Sequence, residues 1–202
     1  MSRITLSYFD FPGGRGEDCR LALFLAGIPF DDDRVDPKDW PVRKSATPFG
    51  GLPVMSIEDV GELAESNAIL GLIGRRHNLL PHDDFDAARH MAILNAVEDL
   101  RHKVAATLGK DEETKKTVRT EFVAGPLRTW AGDMELQLAG PFVAGNLISV
   151  ADLKLFVLMN WFKKGVLDYV PTDCLADFPK LETLHAEVAA HPKIVEWYAK
   201  QF

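Results

Sequence analysis

Apolar and polar residues alternate over Ile4-Thr5-Leu6-Ser7-Tyr8, the period-two signature of a strand with one buried face. The turn signal Pro12-Gly13-Gly14 follows, and Leu21, Phe24, Leu25 and Ile28 then recur at i, i+3, i+4 and i+7. That spacing puts them on one face of a helix, with Gly27 near its end and Pro29 beyond it. Arg34-Val35 predicts a second strand and Leu52-Pro53-Val54-Met55-Ser56-Ile57 a third. Glu58-Asp59-Val60-Gly61 predicts a hairpin turn into a short strand around Leu63, and Ser66 is expected to cap a helix carrying Ile69, Leu72 and Ile73.

The pattern changes at the polar connector Pro81-His82-Asp83-Asp84, after which every periodic stretch is helical. Met91, Leu94, Val97 and Val104 support one helix, and a longer one is expected from about Glu113 to Leu138, kinked at Gly125-Pro126. Ser149-Val150-Ala151-Asp152 fits a capping box with Asp in place of Glu or Gln, flanked by Ile148 and Leu153 at the staple positions. The order βαβ, then ββα, then helices alone predicts a thioredoxin-like α/β domain over residues 1–80 and an all-α domain over residues 87–202.

Composition narrows the function without naming it. The 202 residues are 47% hydrophobic and 26% charged, an ordinary globular mixture. A net charge of -7 argues against a general nucleic-acid surface, which needs clustered Lys and Arg. No apolar run reaches the ~18 residues of a membrane span, and no signal-peptide pattern opens the chain, so no membrane association is expected. Cys19 and Cys174 belong to no paired motif, which makes a reducing, cytoplasmic setting the default. The six histidines show no ligand spacing.

A thioredoxin-like domain that did dithiol chemistry would carry Cys-x-x-Cys at its first strand-to-helix turn. Here the turn reads Pro12-Gly13-Gly14-Arg15, and Cys19 lies inside the helix, where a small buried residue is the simpler reading. What the turn offers instead is Tyr8 at the strand end and Arg15 at the helix start. Taken alone, Tyr8 reads as a half-buried strand aromatic, Trp40 and Lys44 as a surface loop, Pro53 as a strand-start proline and Ser66 as a plain helix cap.

Together, Tyr8-Phe9-Asp10 through Gly14-Arg15-Gly16-Glu17, Asp39-Trp40-Pro41 with Lys44, Leu52-Pro53-Val54 and Glu65-Ser66 resemble the sigma class of glutathione transferases, which includes haematopoietic-type prostaglandin D synthases. The resemblance spans nearly the whole chain. The Ser149–Asp152 box is similar to the family's folding motif, and Phe178-Pro179-Lys180-Leu181, Val188, Pro192 and Trp197 are similar to its C-terminal helices. It implies that Tyr8 donates a hydrogen bond to the glutathione sulfur and that Arg15 supports it, although this loop is one residue longer than the usual pattern. Trp40 and Lys44 would hold the glycine carboxylate of glutathione. A cis Pro53 would leave the Leu52 backbone free to pair with the cysteinyl backbone, as an added strand does. Gly51 stands where the family often has Gln or Lys. Ser66, at a helix N-terminus, suits the γ-glutamyl carboxylate, and Glu65, where many members have Gln, would face the γ-glutamyl ammonium.

The stretch Ala92–Leu100 is similar to the family's interface helix, which implies a homodimer in which Asp99 of the partner subunit reaches the glutathione ammonium. Some prostaglandin synthases of this class bind Mg²⁺ near that point; Asn95 replaces one acidic residue here, so no metal is expected. The resemblance thus implies an enzyme that joins the glutathione thiolate, as co-substrate, to a small hydrophobic electrophile. The electrophile site is expected between the domains, near Phe9, Phe11, Val104 and Leu108. Alternatives on the same frame are prostaglandin isomerisation or peroxide reduction, and a non-catalytic glutathione-fold protein that binds ligands or serves a structural role.

Overall fold

The computed structural model describes residues 2–200. The chain divides into two compact units. One runs to Asp83 and resumes at Pro192; the other spans Asp84–His191.

In the first unit the strands β1 (Ile4–Phe9), β2 (Asp31–Val35), β3 (Val54–Ile57) and β4 (Gly61–Ala64) form a single sheet in the order β2-β1-β3-β4. The β1–β2 pair is parallel, while β1–β3 and β3–β4 are antiparallel. This mixed sheet is the thioredoxin-like arrangement expected from the order of periodic stretches. Helix α1 (Gly14–Leu25) makes the crossover between β1 and β2, and α3 (Ser66–Arg76) follows β4 and packs on α1. A short helix, α2 (Trp40–Arg43), runs into a 3-10 turn over Lys44–Ala46. The last helix, α9 (Pro192–Ala199), also packs on α1.

Three elements of this unit differ from the sequence expectation for physical reasons. β3 starts at Val54 rather than at Leu52, because Pro53 has no N–H to give to the ladder. β2 starts at Asp31 rather than at Arg34, although Asp31-Asp32-Asp33 is a poor strand sequence. Its charges are matched one by one: Asp31 pairs with Arg3, Asp32 with Arg20 and Arg34, and Asp33 with Arg43. α1 does not bury only the face of Leu21, Phe24, Leu25 and Ile28. It is buried all round from Gly16 to Leu23, including Glu17, Asp18, Cys19 and Arg20, while Phe24 and Leu25 are half-buried. Its C-terminus follows the expected rule. Gly27 takes a left-handed φ of 68°, its N–H meets the Phe24 carbonyl, and the Ile28 N–H meets that of Leu23, each at 3.0 Å.

The second unit is helical throughout: α4 (Asp84–Ala105), α5 (Glu112–Phe122), α6 (Arg128–Glu135), α7 (Val150–Lys163) and α8 (Pro179–Ala190). The expected kink at Gly125-Pro126 is a π turn over Val123–Leu127 joining α5 to α6, because Pro126 supplies no N–H to a regular helix. α7 is the central helix, buried without a break from Val150 to Met159 and packed on α4 and α8. Its capping box is present: Asp152 accepts from the Ser149 backbone N–H at 2.8 Å and from Val143 N–H at 2.7 Å. Lys154, fully buried on the same helix, pairs with Glu98 of α4 at 2.5 Å.

Candidate functional site

The sheet register places the expected residues in one row of the first unit. Ser7 of β1 faces Val54 of β3, and Val54 faces Ala64 of β4. One residue further along each strand stand Tyr8, Pro53 and Glu65, with Leu52 and Ser66 next to the last two. On the other side of β1, Tyr8 faces Arg34 and Phe9 faces Val35 of β2, whose chain leads on to Trp40. Residues spread over some sixty positions therefore meet at one edge because three strands end there together.

Tyr8 is 7% exposed, and its ring lies against the first turn of α1. A Cβ at Gly16 would stand 2.1 Å from the Tyr8 ring, and one at Gly14 2.7 Å from the Tyr8 hydroxyl. Only glycine leaves room for the ring at these two positions, and Gly14 also needs its left-handed φ of 66°. The hydroxyl is thereby set at the N-terminus of a twelve-residue helix, where the dipole favours negative charge. Arg15 is half-buried in the same first turn. Phe9 and Phe11 each have their ring centroid 5.6 Å from that of Tyr8, and Trp40 stands edge-on to Phe9, also at 5.6 Å.

Trp40 is half-buried, and its helix is fastened to the sheet by a charge network. Arg43 grips Asp33 with two nitrogens, and Ser7 Oγ donates to Asp33 at 2.6 Å. The Arg43 bond, reinforced by Ser7, holds the Asp33 carboxyl below the usual carboxylate range. Lys44 is exposed in the 3-10 turn, with its stem along Gly50. The Leu52–Pro53 peptide is cis, as the resemblance implied. Gly51 is exposed, and a Cβ there would meet nothing within 4 Å, so the position has room for a longer side chain.

One expectation needs correcting. Ser66 is the first residue of α3 rather than its cap; Glu65 holds the cap position, and its side chain makes no capping bond. Glu65 has φ 71° and ψ 117°, a left-handed backbone that a residue with a Cβ rarely adopts. The sharp turn out of β4 comes from that conformation, and it leaves Glu65 exposed and Ser66 buried. Asp99 is exposed on α4 of the second unit. Of the residues expected near the electrophile, Phe9 is half-buried and Phe11 and Leu108 are exposed, whereas Val104 is buried.

Sequence reasoning passed over Arg20 and Glu17. Both are fully buried, and Glu17 accepts from Trp197 Nε1 at 2.7 Å. Burial raises the Glu17 carboxyl above the usual range, against the opposing pull of Trp197 and Arg20. The signal available was a charged pair, Glu17 and Arg20, one turn apart inside the helix that follows Tyr8. A cavity of about 620 Å³ opens near the C-terminal end of α1, lined by Phe24, Phe30 and Trp197 with Lys193 and Lys200. It contains none of the residues in the Tyr8 row. Among the described residues no three His, Cys, Asp or Glu side chains gather as metal ligands, and no helix is long and apolar enough to cross a membrane.

Comparison with known proteins gives the frame for this geometry. Residues 98–201 match the family model described as Glutathione S-transferase, C-terminal domain. Glutathione S-transferase 1 of Ascaris suum is 32% identical over 215 aligned positions, covering 100% of this chain and 98% of its own. The hematopoietic prostaglandin D synthase of Homo sapiens is 25% identical, covering 100% of this chain and 98% of its own. Among solved structures, a sigma class GST of Fasciola hepatica superposes with a TM-score of 0.85 at 28% identity, over 100% of this chain and 97% of that one.

Proposed function

The chain belongs to the glutathione S-transferase family, and from that premise we propose that Tyr8 holds the glutathione thiolate while it attacks a small hydrophobic electrophile. The observation that carries the assignment is the seat of Tyr8, whose hydroxyl is pressed against Gly14 at the start of α1. A sulfur bound there meets an O–H donor and a helix N-terminus together. Trp40 and Lys44 take the glycine carboxylate, the Leu52 backbone pairs with the cysteinyl unit, and Ser66 with the first turn of α3 takes the γ-glutamyl carboxylate. Arg15 supports the sulfur electrostatically, and Glu65 with Asp99 of the partner subunit faces the ammonium. The working form is then a homodimer. No metal enters the reaction, and detoxification in the cytoplasm is the setting that fits.

A magnitude limits what the thiolate partner contributes. A free thiol with pKa ~8.5 is about 3% ionised at pH 7, and lowering that pKa by ~2 units ionises roughly three quarters. Nucleophilicity falls along with pKa at a slope of about 0.4–0.5, which leaves only about a threefold gain. Most of the acceleration therefore comes from holding the electrophile near the sulfur and from stabilising charge as it develops.

Tyr8→Phe tests the assignment. Losing a hydrogen bond to the thiolate costs ~1.5–3 kcal/mol, which raises the bound thiol's pKa by about one to two units. The more basic thiolate is the better nucleophile, so turnover of a chloronitrobenzene substrate near neutral pH falls only about threefold. The activity profile shifts to higher pH because the thiolate loses its donor. Affinity measured by calorimetry below the thiol pKa stays the same. Full activity with an unshifted profile would falsify the role of Tyr8. The likeness to a prostaglandin D synthase supports a second reading, prostaglandin isomerisation at the same sulfur, and the same variant read with a prostaglandin substrate tests it.

A further inference from the structure

Arg20 projects from the second turn of α1 and is fully buried. Its Nη1 donates to the Phe11 carbonyl at 3.1 Å and its Nη2 to the Phe9 carbonyl at 3.2 Å. Those carbonyls bracket the bend where β1 ends, just past Tyr8. The guanidinium carbon lies 5.8 Å from the centroid of the Tyr8 ring and over its face. Asp32 of β2 sets the fork by accepting from Nε at 2.8 Å, and Glu17 lies 3.6 Å from Nη1 on the other side.

A buried guanidinium is no economy for stability. Its desolvation cost is large, and an apolar side chain packed like the neighbouring Cys19 and Leu21 serves a helix core at least as well. What an apolar side chain cannot do is hold two carbonyls with one planar fork while placing a positive charge over an aromatic face. We infer that Arg20, aimed by Asp32, is a positioning residue that fixes the Tyr8 hydroxyl toward the bound thiolate and strengthens it as a donor. The inference rests on the reading of Tyr8 as the thiolate's partner. Two effects act in the same direction. The clamp on Phe9 and Phe11 keeps the strand end, and so the ring, from rotating away from Gly14. The cation over the ring face draws electron density from the phenol and makes its O–H a stronger donor.

The experiment titrates the bound glutathione thiol by its ultraviolet thiolate absorbance in the full-length protein. The variants are Tyr8→Phe, Arg20→Met, Asp32→Ala and the two doubles with Tyr8→Phe. Arg20→Met is expected to raise the thiol pKa by about half a unit to one unit, leaving about three- to tenfold less thiolate on the acid side. In the Tyr8→Phe background the same substitution is expected to produce no further rise, because the effect passes through the hydroxyl. Affinity for the protonated tripeptide stays within about twofold, which a general loss of structure would not allow. An unmoved pKa in Tyr8→Phe itself overturns the reading of Tyr8. A rise in Tyr8→Phe with none in Arg20→Met, or an equal rise from Arg20→Met in both backgrounds, overturns the role of Arg20 alone. Should Arg20→Met fail to fold, Asp32→Ala decides. Removing that carboxylate by itself favours the thiolate, so a rise in pKa there reports the loss of Arg20's aim, and a fall or no change overturns the inference.

Discussion

Helices α3 and α7 both start beside a serine and an acidic residue, and their N-termini are built in opposite ways. At α7 the acid turns inward. Asp152 is fully buried and accepts from the Ser149 N–H, the Ser149 hydroxyl at 2.6 Å and the Val143 N–H. Burial still raises its carboxyl above the usual range, against the pull of those three donors. At α3 the acid turns outward. Glu65 is exposed, its backbone is held in a left-handed conformation, and its side chain caps nothing. A helix start whose polar partners are internal adds to stability. One that stores strain and keeps its acid in solvent is shaped for something that binds, and on the proposed function that is the γ-glutamyl group.

The largest effect that separates the two starts is Asp152→Ala. It strands two buried backbone donors at about 1–3 kcal/mol each, so roughly 3 kcal/mol of stability is lost. A melting temperature lower by about 6–12 °C is expected. Glutathione affinity of the folded protein is expected to stay the same; a parallel loss of affinity would break the comparison.

Ser66→Ala probes the other side. Losing its hydrogen bond to the ligand carboxylate costs at least ~1.4 kcal/mol, which weakens glutathione about tenfold by calorimetry. The melting temperature should drop by less than in Asp152→Ala. Unchanged affinity removes α3 from the binding site.

Glu65→Gly gives the smallest and sharpest shift. Relief of the left-handed backbone gains ~1–2 kcal/mol, and the extra freedom of glycine in the unfolded chain returns ~0.5–1. The free protein should therefore be more stable by about half a kcal/mol in urea titration, while glutathione binds several-fold more weakly. A loss of stability would mean that the strain is not relieved by glycine, and the contrast with α7 would fail.

Short-range chemistry was readable along the chain. Ser149-Val150-Ala151-Asp152 announces a capping box because both partners lie three residues apart. Gly27 announces the end of α1, and Gly125-Pro126 the break between α5 and α6, because backbone restrictions are properties of single residues. Tyr8 lies one residue from the end of β1, Leu52 and Pro53 lie just before β3, and Trp40 and Ser66 are the first residues of α2 and α3. The resemblance did not reveal that Ser66 starts its helix behind a strained Glu65, since a Ser after a strand reads equally well as a cap.

The order of strands and helices, the glycines at turns and the paired residues at α7 followed from the sequence alone, because each is decided by neighbours within a few positions. Only the tertiary structure decided what Gly16 is for. The reason for having no Cβ there is the ring of Tyr8, which a strand and a turn bring against it. It also decided that Asp31-Asp32-Asp33 forms a strand, because Arg3, Arg20 and Arg43 arrive from other elements to match the charge. Glu17, bonded to Trp197 from 180 residues away, belongs to the same class. A buried charge gives no periodic signal in a sequence; its partner is fixed by packing between elements that only folding brings together.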